Sequence, residues 1–264
     1  MNTIIVTTAS LVLFSTLSMG EIKYLSKSKI MELSSTSKVL KNKYTKVLEA
    51  IDEKDTYFFD LEYKGKQINA FMDKKTGIVY RGDRFDAKGT LSKFVKSPER
   101  IAQFQKMMKN GISFSVGTGK KDLYVFTDPE CPYCKKFEKQ SQGLLDDYTV
   151  HTILFPLRFH KKAPAMVEWI MQGKDDNEKH ARLVNIMLKN DQTYMNILPK
   201  KGERFKYSNK VEKKLNDGKI VARQLNVRGT PIVFDADLNK LNWAKLLQKE
   251  RNKKNNIKSF KALK

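Results

Sequence analysis

Phe126-Thr127-Asp128-Pro129-Glu130-Cys131-Pro132-Tyr133-Cys134-Lys135-Lys136-Phe137 carries both cysteines of this 264-residue chain, and the segments around it decide the fold. Strand candidates Ile112 to Val116 and Leu123 to Thr127 lead into it, and a polar helical stretch runs out of it through Gln142. The order is strand, loop, helix. A third strand, Thr149 to Phe155, precedes helical segments at Ala163 to Met171, Glu178 to Leu188 and Asn209 to Leu225. Ile232 to Phe234 follows Gly229-Thr230-Pro231 as a short strand, and Leu241 to Arg251 reads as a last helix. Strands alternating with helices predict a mixed α/β sheet over residues 112–264.

Upstream, Ser97-Pro98-Glu99 opens a helix with Ser97 as cap and Pro98 at the first helical position. Ile101, Phe104, Met107 and Met108 are its apolar stripe, and it reads as a linker over residues 96–111. Before it, Leu40, Tyr44, Val47, Leu48 and Ile51 recur at helical spacing behind the hydroxyl cluster Ser34 to Ser37, predicting an amphipathic helix. Three β-like runs follow, Thr56 to Tyr63, Gln67 to Met72 and Ile78 to Tyr80, with separators of hairpin length. A helix on a small antiparallel sheet makes a first domain over residues 21–95, marginal alone and stabilised by pairing with a second copy.

The first twenty residues carry no charge; Ile4 to Leu17 is apolar or hydroxyl-bearing and ends in Ser18-Met19-Gly20, the pattern of a leader cleaved before Glu21. The run is shorter than the roughly 20 residues that span a bilayer. The formal charge is +22, yet acidic residues are interspersed with the basic ones, so a solvated basic surface is expected. No reader motif points to nucleic acid. The lysine- and asparagine-rich tail from Lys249 to Lys264 loses periodicity after Arg251 and is expected to fray.

Two cysteines three positions apart close a tiny ring that staples nothing, whereas structural disulfides gain most from long loops. The spacing points to reactivity. Disulfide exchange needs an exposed thiol that forms a thiolate readily and a second thiol close enough to resolve the mixed disulfide. With a helix starting at Cys131, its sulfur lies over unpaired N–H groups at the positive end of the dipole, Pro132 takes the first helical position, and Cys134 lies one turn in, more buried. A zinc half-site has the same spacing but needs two more ligands. No third cysteine exists, and His151, His160 and His180 form no close ligand pair, so no metal is expected. A cysteine-protease reading leaves the second cysteine unexplained.

Together with Val227-Arg228-Gly229-Thr230-Pro231, the quoted segment resembles the DsbC/DsbG group of periplasmic thiol-disulfide interchange proteins. The resemblance implies an α+β and α/β chain: a thioredoxin-like catalytic domain with a helical insertion, joined by a linker helix to a cystatin-like N-terminal dimerisation domain, in a V-shaped homodimer. It implies Cys131 as attacking thiol, Cys134 as resolving thiol, Pro231 as a cis-proline facing them, and the Thr230 backbone pairing with the client chain. Pro132 and Tyr133 would tune the redox potential. Asp128 and Glu130 are expected to be exposed bystanders. The redox-active Cys131–Cys134 disulfide would replace any cofactor, and the partners would be exported cysteine-containing clients and a membrane protein that recharges the pair. Pro-Tyr between the cysteines matches the DsbG side; DsbC carries Gly-Tyr. Isomerase or reductase is the favoured direction. A DsbA-like oxidase and a disulfide-independent chaperone are the alternatives.

Overall fold

A computed structural model describes residues 22–262 apart from 65, 93 and 201, with only the backbone of 258–262, so the leader assigned to residues 1–20 lies outside the described residues. The chain divides into two compact units between Phe94 and Val95.

In the first unit, α1 (Lys27–Thr36) starts at Ser26, whose side chain accepts from the Lys29 amide. Four antiparallel strands follow in the order β1 (Thr45–Asp52), β2 (Thr56–Tyr63), β3 (Lys66–Asp73) and β4 (Val79–Arg81). A two-stranded ribbon of β5 (Arg84–Phe85) and β6 (Leu91–Ser92) completes the unit. One sheet face gathers Ala50, Phe59, Leu61, Ala70 and Met72 against Ile30 and Leu33 of α1. The other stacks Phe58 on Phe71 with centroids 4.6 Å apart and sets the Phe94 ring edge-on at 5.1 Å.

The helix expected across Leu40 to Ile51 is not there; that stretch enters β1. Leu48 is an extra residue between Val47, opposite Leu61, and Glu49, opposite Asp60. This bulge turns the strand's period of two into a step of three, so Val47 and Ala50 share the inner face at a spacing that mimics a helix. The hydroxyl cluster read as its N-cap instead ends α1, where Ser37 donates its amide to the Leu33 carbonyl.

The second unit is built on a five-stranded sheet in the order β11 (Lys240–Leu241), β10 (Ile232–Phe234), β8 (Lys121–Thr127), β9 (Tyr148–Leu154), β7 (Phe114–Val116). β8 and β9 are parallel; β7 and β10 run antiparallel to their neighbours. Around it lie α2 (Pro98–Gly111), α3 (Pro132–Ser141), α4 (Ala163–Met171), α5 (Asp176–Leu188), α6 (Asn209–Gln224) and α7 (Trp243–Ala262). Ser97 caps α2 by accepting from the Arg100 amide, with Pro98 in the first turn. Phe104 and Met108 of α2 join Phe126, Ile153 and Val221 in one apolar cluster, so this helix packs within the second unit. Helices α2 and α6 meet through glycine, a Cβ on Gly111 falling 2.9 Å from the Gly218 Cα.

Helix α7 runs to Ala262 where fraying after Arg251 was expected. It lacks an apolar stripe there. Instead Lys253 pairs with Asp147, Lys254 reaches the Gly143 carbonyl and Asp146, and Gln248 donates to Asn252 one turn on. Polar ties to the α3–β9 connection replace periodicity as the ordering force.

Candidate active site

Strand β8, central in the sheet, is buried from Leu123 to its end and delivers the chain to Asp128 just past its carboxyl end. The Cys131 amide turns back to the Asp128 carbonyl (3.1 Å), Cys131 becomes the N-cap of α3 with extended backbone, and its carbonyl accepts the Lys135 amide. Pro132 fits the first helical turn because it has no N–H to leave unpaired. Cys131 and Cys134 are both free thiols.

Cys134 is fully buried, and Cys131, expected to be exposed, is only 4% exposed. Its sulfur is turned across the fold toward the loop before β10, where the Thr230 carbonyl accepts from Sγ at 3.6 Å. The Thr230–Pro231 peptide is cis, and Pro231 is buried. The structure therefore brings Cys131, Cys134 and Thr230-Pro231 together. Pro132 and Tyr133 lie outside: Tyr133 is 66% exposed.

Burial pushes the Cys134 thiol up to about 12, against the opposing influence of the nearby Thr230 hydroxyl, the Asp128 amide and the nearby Thr127 hydroxyl; the neighbouring Cys131 adds to the rise. The Asp128 N–H donates to Cys134 Sγ at 3.4 Å. Thr230 Oγ1 is buried without a partner at hydrogen-bonding geometry, yet lies near enough to favour the Cys134 thiolate.

Asp128 is not an exposed bystander. It is fully buried: Oδ1 accepts from the Glu130 amide (2.8 Å), and Oδ2 accepts from the Leu157 amide (2.7 Å) and meets His160 Nδ1 (2.8 Å). Glu130 is half-buried, and its Oε2 accepts the Lys162 and Ala163 amides, both at 2.7 Å, capping α4 from outside its own segment. The reason is topological. Backbone donors after β9 and at the start of α4 lack local partners, and the two carboxylates preceding Cys131 supply the acceptors. Nothing within the quoted segment signals this, since the donors lie about thirty positions away. Tyr207 sits behind, its phenol raised by burial and by the Asp128 and Glu168 carboxylates.

Among the described residues, no group of three or more His, Cys, Asp or Glu side chains is placed to hold a metal ion, and no helix is long and apolar enough to cross a membrane.

A family model described as a thioredoxin-like domain matches residues 108–241. The thiol:disulfide interchange protein DsbG of Pseudomonas aeruginosa is 27% identical over 126 residues, 44% of this chain and 48% of that protein, so the match spans about half the length of this curated relative. Among solved structures, the catalytic domain of Proteus mirabilis ScsC is 20% identical, with 59% of this chain and 98% of that one covered and a TM-score of 0.39. Helicobacter pylori DsbG is 16% identical over 77% of this chain and 98% of its own, with a TM-score of 0.38.

Proposed function

The chain belongs to the thioredoxin-like family, and from that premise we propose that it is an exported thiol-disulfide oxidoreductase that isomerises or reduces disulfides of client proteins. One observation carries the reading: the Cys131 sulfur faces the Thr230 carbonyl at 3.6 Å with the unbridged Cys134 one turn behind it. In the free protein that carbonyl accepts the Cys131 S–H. When Cys131 is joined to a client sulfur, the proton is gone and the same oxygen is released to accept a client backbone N–H, which aligns the chain being attacked.

The thiolate of Cys131 attacks one sulfur of a client disulfide, forming a Cys131–client bond and expelling the other client sulfur as a thiolate. In isomerisation a client thiolate then attacks the mixed disulfide and returns Cys131 unchanged. In reduction Cys134 attacks Cys131, the client leaves as a thiol, and the protein holds the Cys131–Cys134 disulfide until a membrane redox partner reduces it. The uncharged, apolar sequence of residues 1–20, read as a leader, is what supports a periplasmic location, and the first unit is the proposed dimerisation surface; light scattering giving a monomer mass would remove the dimer.

The test uses a scrambled, wrongly bridged substrate and its fully reduced form, with wild type, Cys131→Ala and Cys134→Ala. Recovery of scrambled substrate that requires Cys131 is the expected result. Activity confined to the reduced substrate would make the protein an oxidase, and protection from aggregation without either thiol would make it a chaperone.

A further inference from the structure

The segment 155–163, between β9 and α4, is fastened to the residues just ahead of Cys131. The Phe155 amide donates to the Thr127 carbonyl, the Leu157 amide and the His160 ring meet Asp128, and the Lys162 and Ala163 amides donate to Glu130. Phe159 lies between these ties and is 72% exposed, the most exposed large apolar side chain among the described residues. Its ring stands edge-on to His160, with centroids 4.5 Å apart. A lone exposed aromatic is ordinary on a protein surface. This one sits on backbone held from both sides, so little freedom is lost when a partner covers the ring.

The same ties engage the acids. Asp128 and Glu130 are the only carboxylates in residues 126–137, 155–163 and 226–231, and both are committed to backbone amides and His160. These three segments, which carry the two thiols, the fastened loop and Thr230-Pro231, expose Lys136, Arg158, Lys161, Lys162 and Arg228. Among the described residues Lys136, Arg158, Lys161 and Lys162 form no ion pair. Elsewhere cations are neutralised by neighbours, as Arg182 is by Glu178 and Lys74 by Asp52. The surface around Cys131 therefore combines a fixed aromatic ring with positive charge that no exposed acid offsets.

We propose that this surface selects the client, taking an extended segment whose cysteine is flanked by a large apolar residue and by Asp or Glu. This rests on the thiol-exchange reading above and names its substrate class. The apolar side chain of the client covers Phe159. Its carboxylates face Arg158, Lys161 and Lys162, whose field draws the segment toward Cys131 from a distance. A cysteine flanked by Lys or Arg meets like charge instead, which rejects it.

The experiment mixes reduced full-length protein with short peptides whose single cysteine carries a thiopyridyl group. The Cys131 thiolate attacks the peptide sulfur, the peptide–thiopyridyl S–S bond breaks as the Cys131–peptide bond forms, and thiopyridine leaves with the electron pair and takes a proton from solvent. Its absorbance follows the step. Each variant's rates are divided by its own rate with uncharged dithiodipyridine. At a salt concentration of about 0.01 M the Asp- and Glu-flanked peptide is expected to react roughly 10–100-fold faster than its Lys-flanked counterpart, within the range of electrostatic steering. The ratio should collapse toward unity at about 1 M, where charges are screened within about 3 Å. Lys161→Glu combined with Lys162→Glu should invert the ratio, and Phe159→Ser should remove a roughly tenfold advantage of leucine over serine beside the peptide cysteine. Should the double variant fold poorly by tryptophan fluorescence, Arg158→Glu provides the independent route, with a reduced ratio expected. Equal normalised rates for acidic and basic peptides, a ratio insensitive to salt or to charge reversal, or equal rates with leucine and serine would overturn the inference. If wild type does not react with dithiodipyridine, or Cys131→Ala reacts as fast, the thiol-exchange reading itself falls.

Discussion

Replacing Asp128 by alanine should destabilise the second unit while leaving both thiols in place. The carboxylate is fully buried and accepts from the Glu130 and Leu157 amides and meets the His160 ring. A buried polar group left unpaired costs about 1–3 kcal/mol, and since both amides are only half-buried the low end applies to each, giving about 3 kcal/mol for the three contacts. For a unit of this size that corresponds to a fall of roughly 6–12 °C in Tm. Asp128→Asn keeps one acceptor oxygen but turns an NH2 toward a donor, so about half the loss is expected. Both tryptophans, Trp169 and Trp243, lie in the second unit, so denaturant unfolding followed by tryptophan fluorescence reports on that unit alone. A loss below about 1 kcal/mol for Asp128→Ala would show that water satisfies these amides and would refute the assignment of Asp128 as a clasp.

Gly111→Ala places a methyl 2.9 Å from the Gly218 Cα and should cost about 1–3 kcal/mol in the same fluorescence assay through forced separation of α2 and α6; an unchanged midpoint would mean that the two helices yield freely. In the first unit, hydrogen bonds from Lys74 and then Lys23 hold Asp52 below the ordinary carboxylate value of 3.8. Because the folded-state value is depressed, the stabilisation is present above about pH 4 and disappears as pH falls through the folded value. Discounted for solvent screening it is at most about 1 kcal/mol, read as faster amide exchange in β1 and β2 at acid pH, and Asp52→Asn should remove this acid dependence.

Much of the second unit is legible because its signals are local. Pro132 after Cys131 marks the start of α3, Ser97-Pro98 marks α2, and the apolar run before Asp128 is a strand buried on both faces. What escapes reading is set by partners distant in the chain. The bulge at Leu48 hides β1 behind a helical spacing, and only the facing strand β2 reveals it. The burial of Asp128 and Glu130 depends on amides at Leu157, Lys162 and Ala163, and the continuation of α7 depends on carboxylates at Asp146 and Asp147. Charged residues carry no sign in sequence of whether they face water or another segment's unpaired donors.

The clasp around Asp128 and Glu130 also limits how far the two-cysteine loop is portable. A graft of residues 126–137 onto a smaller scaffold of the same fold would transfer both thiols and Pro132, but not the Leu157 to Ala163 backbone that grips the loop from behind. The transplanted carboxylates would then face an apolar wall or open water, and the geometry ahead of Cys131 would relax. The smallest exchangeable cassette is discontinuous: the loop together with the segment that joins β9 to α4.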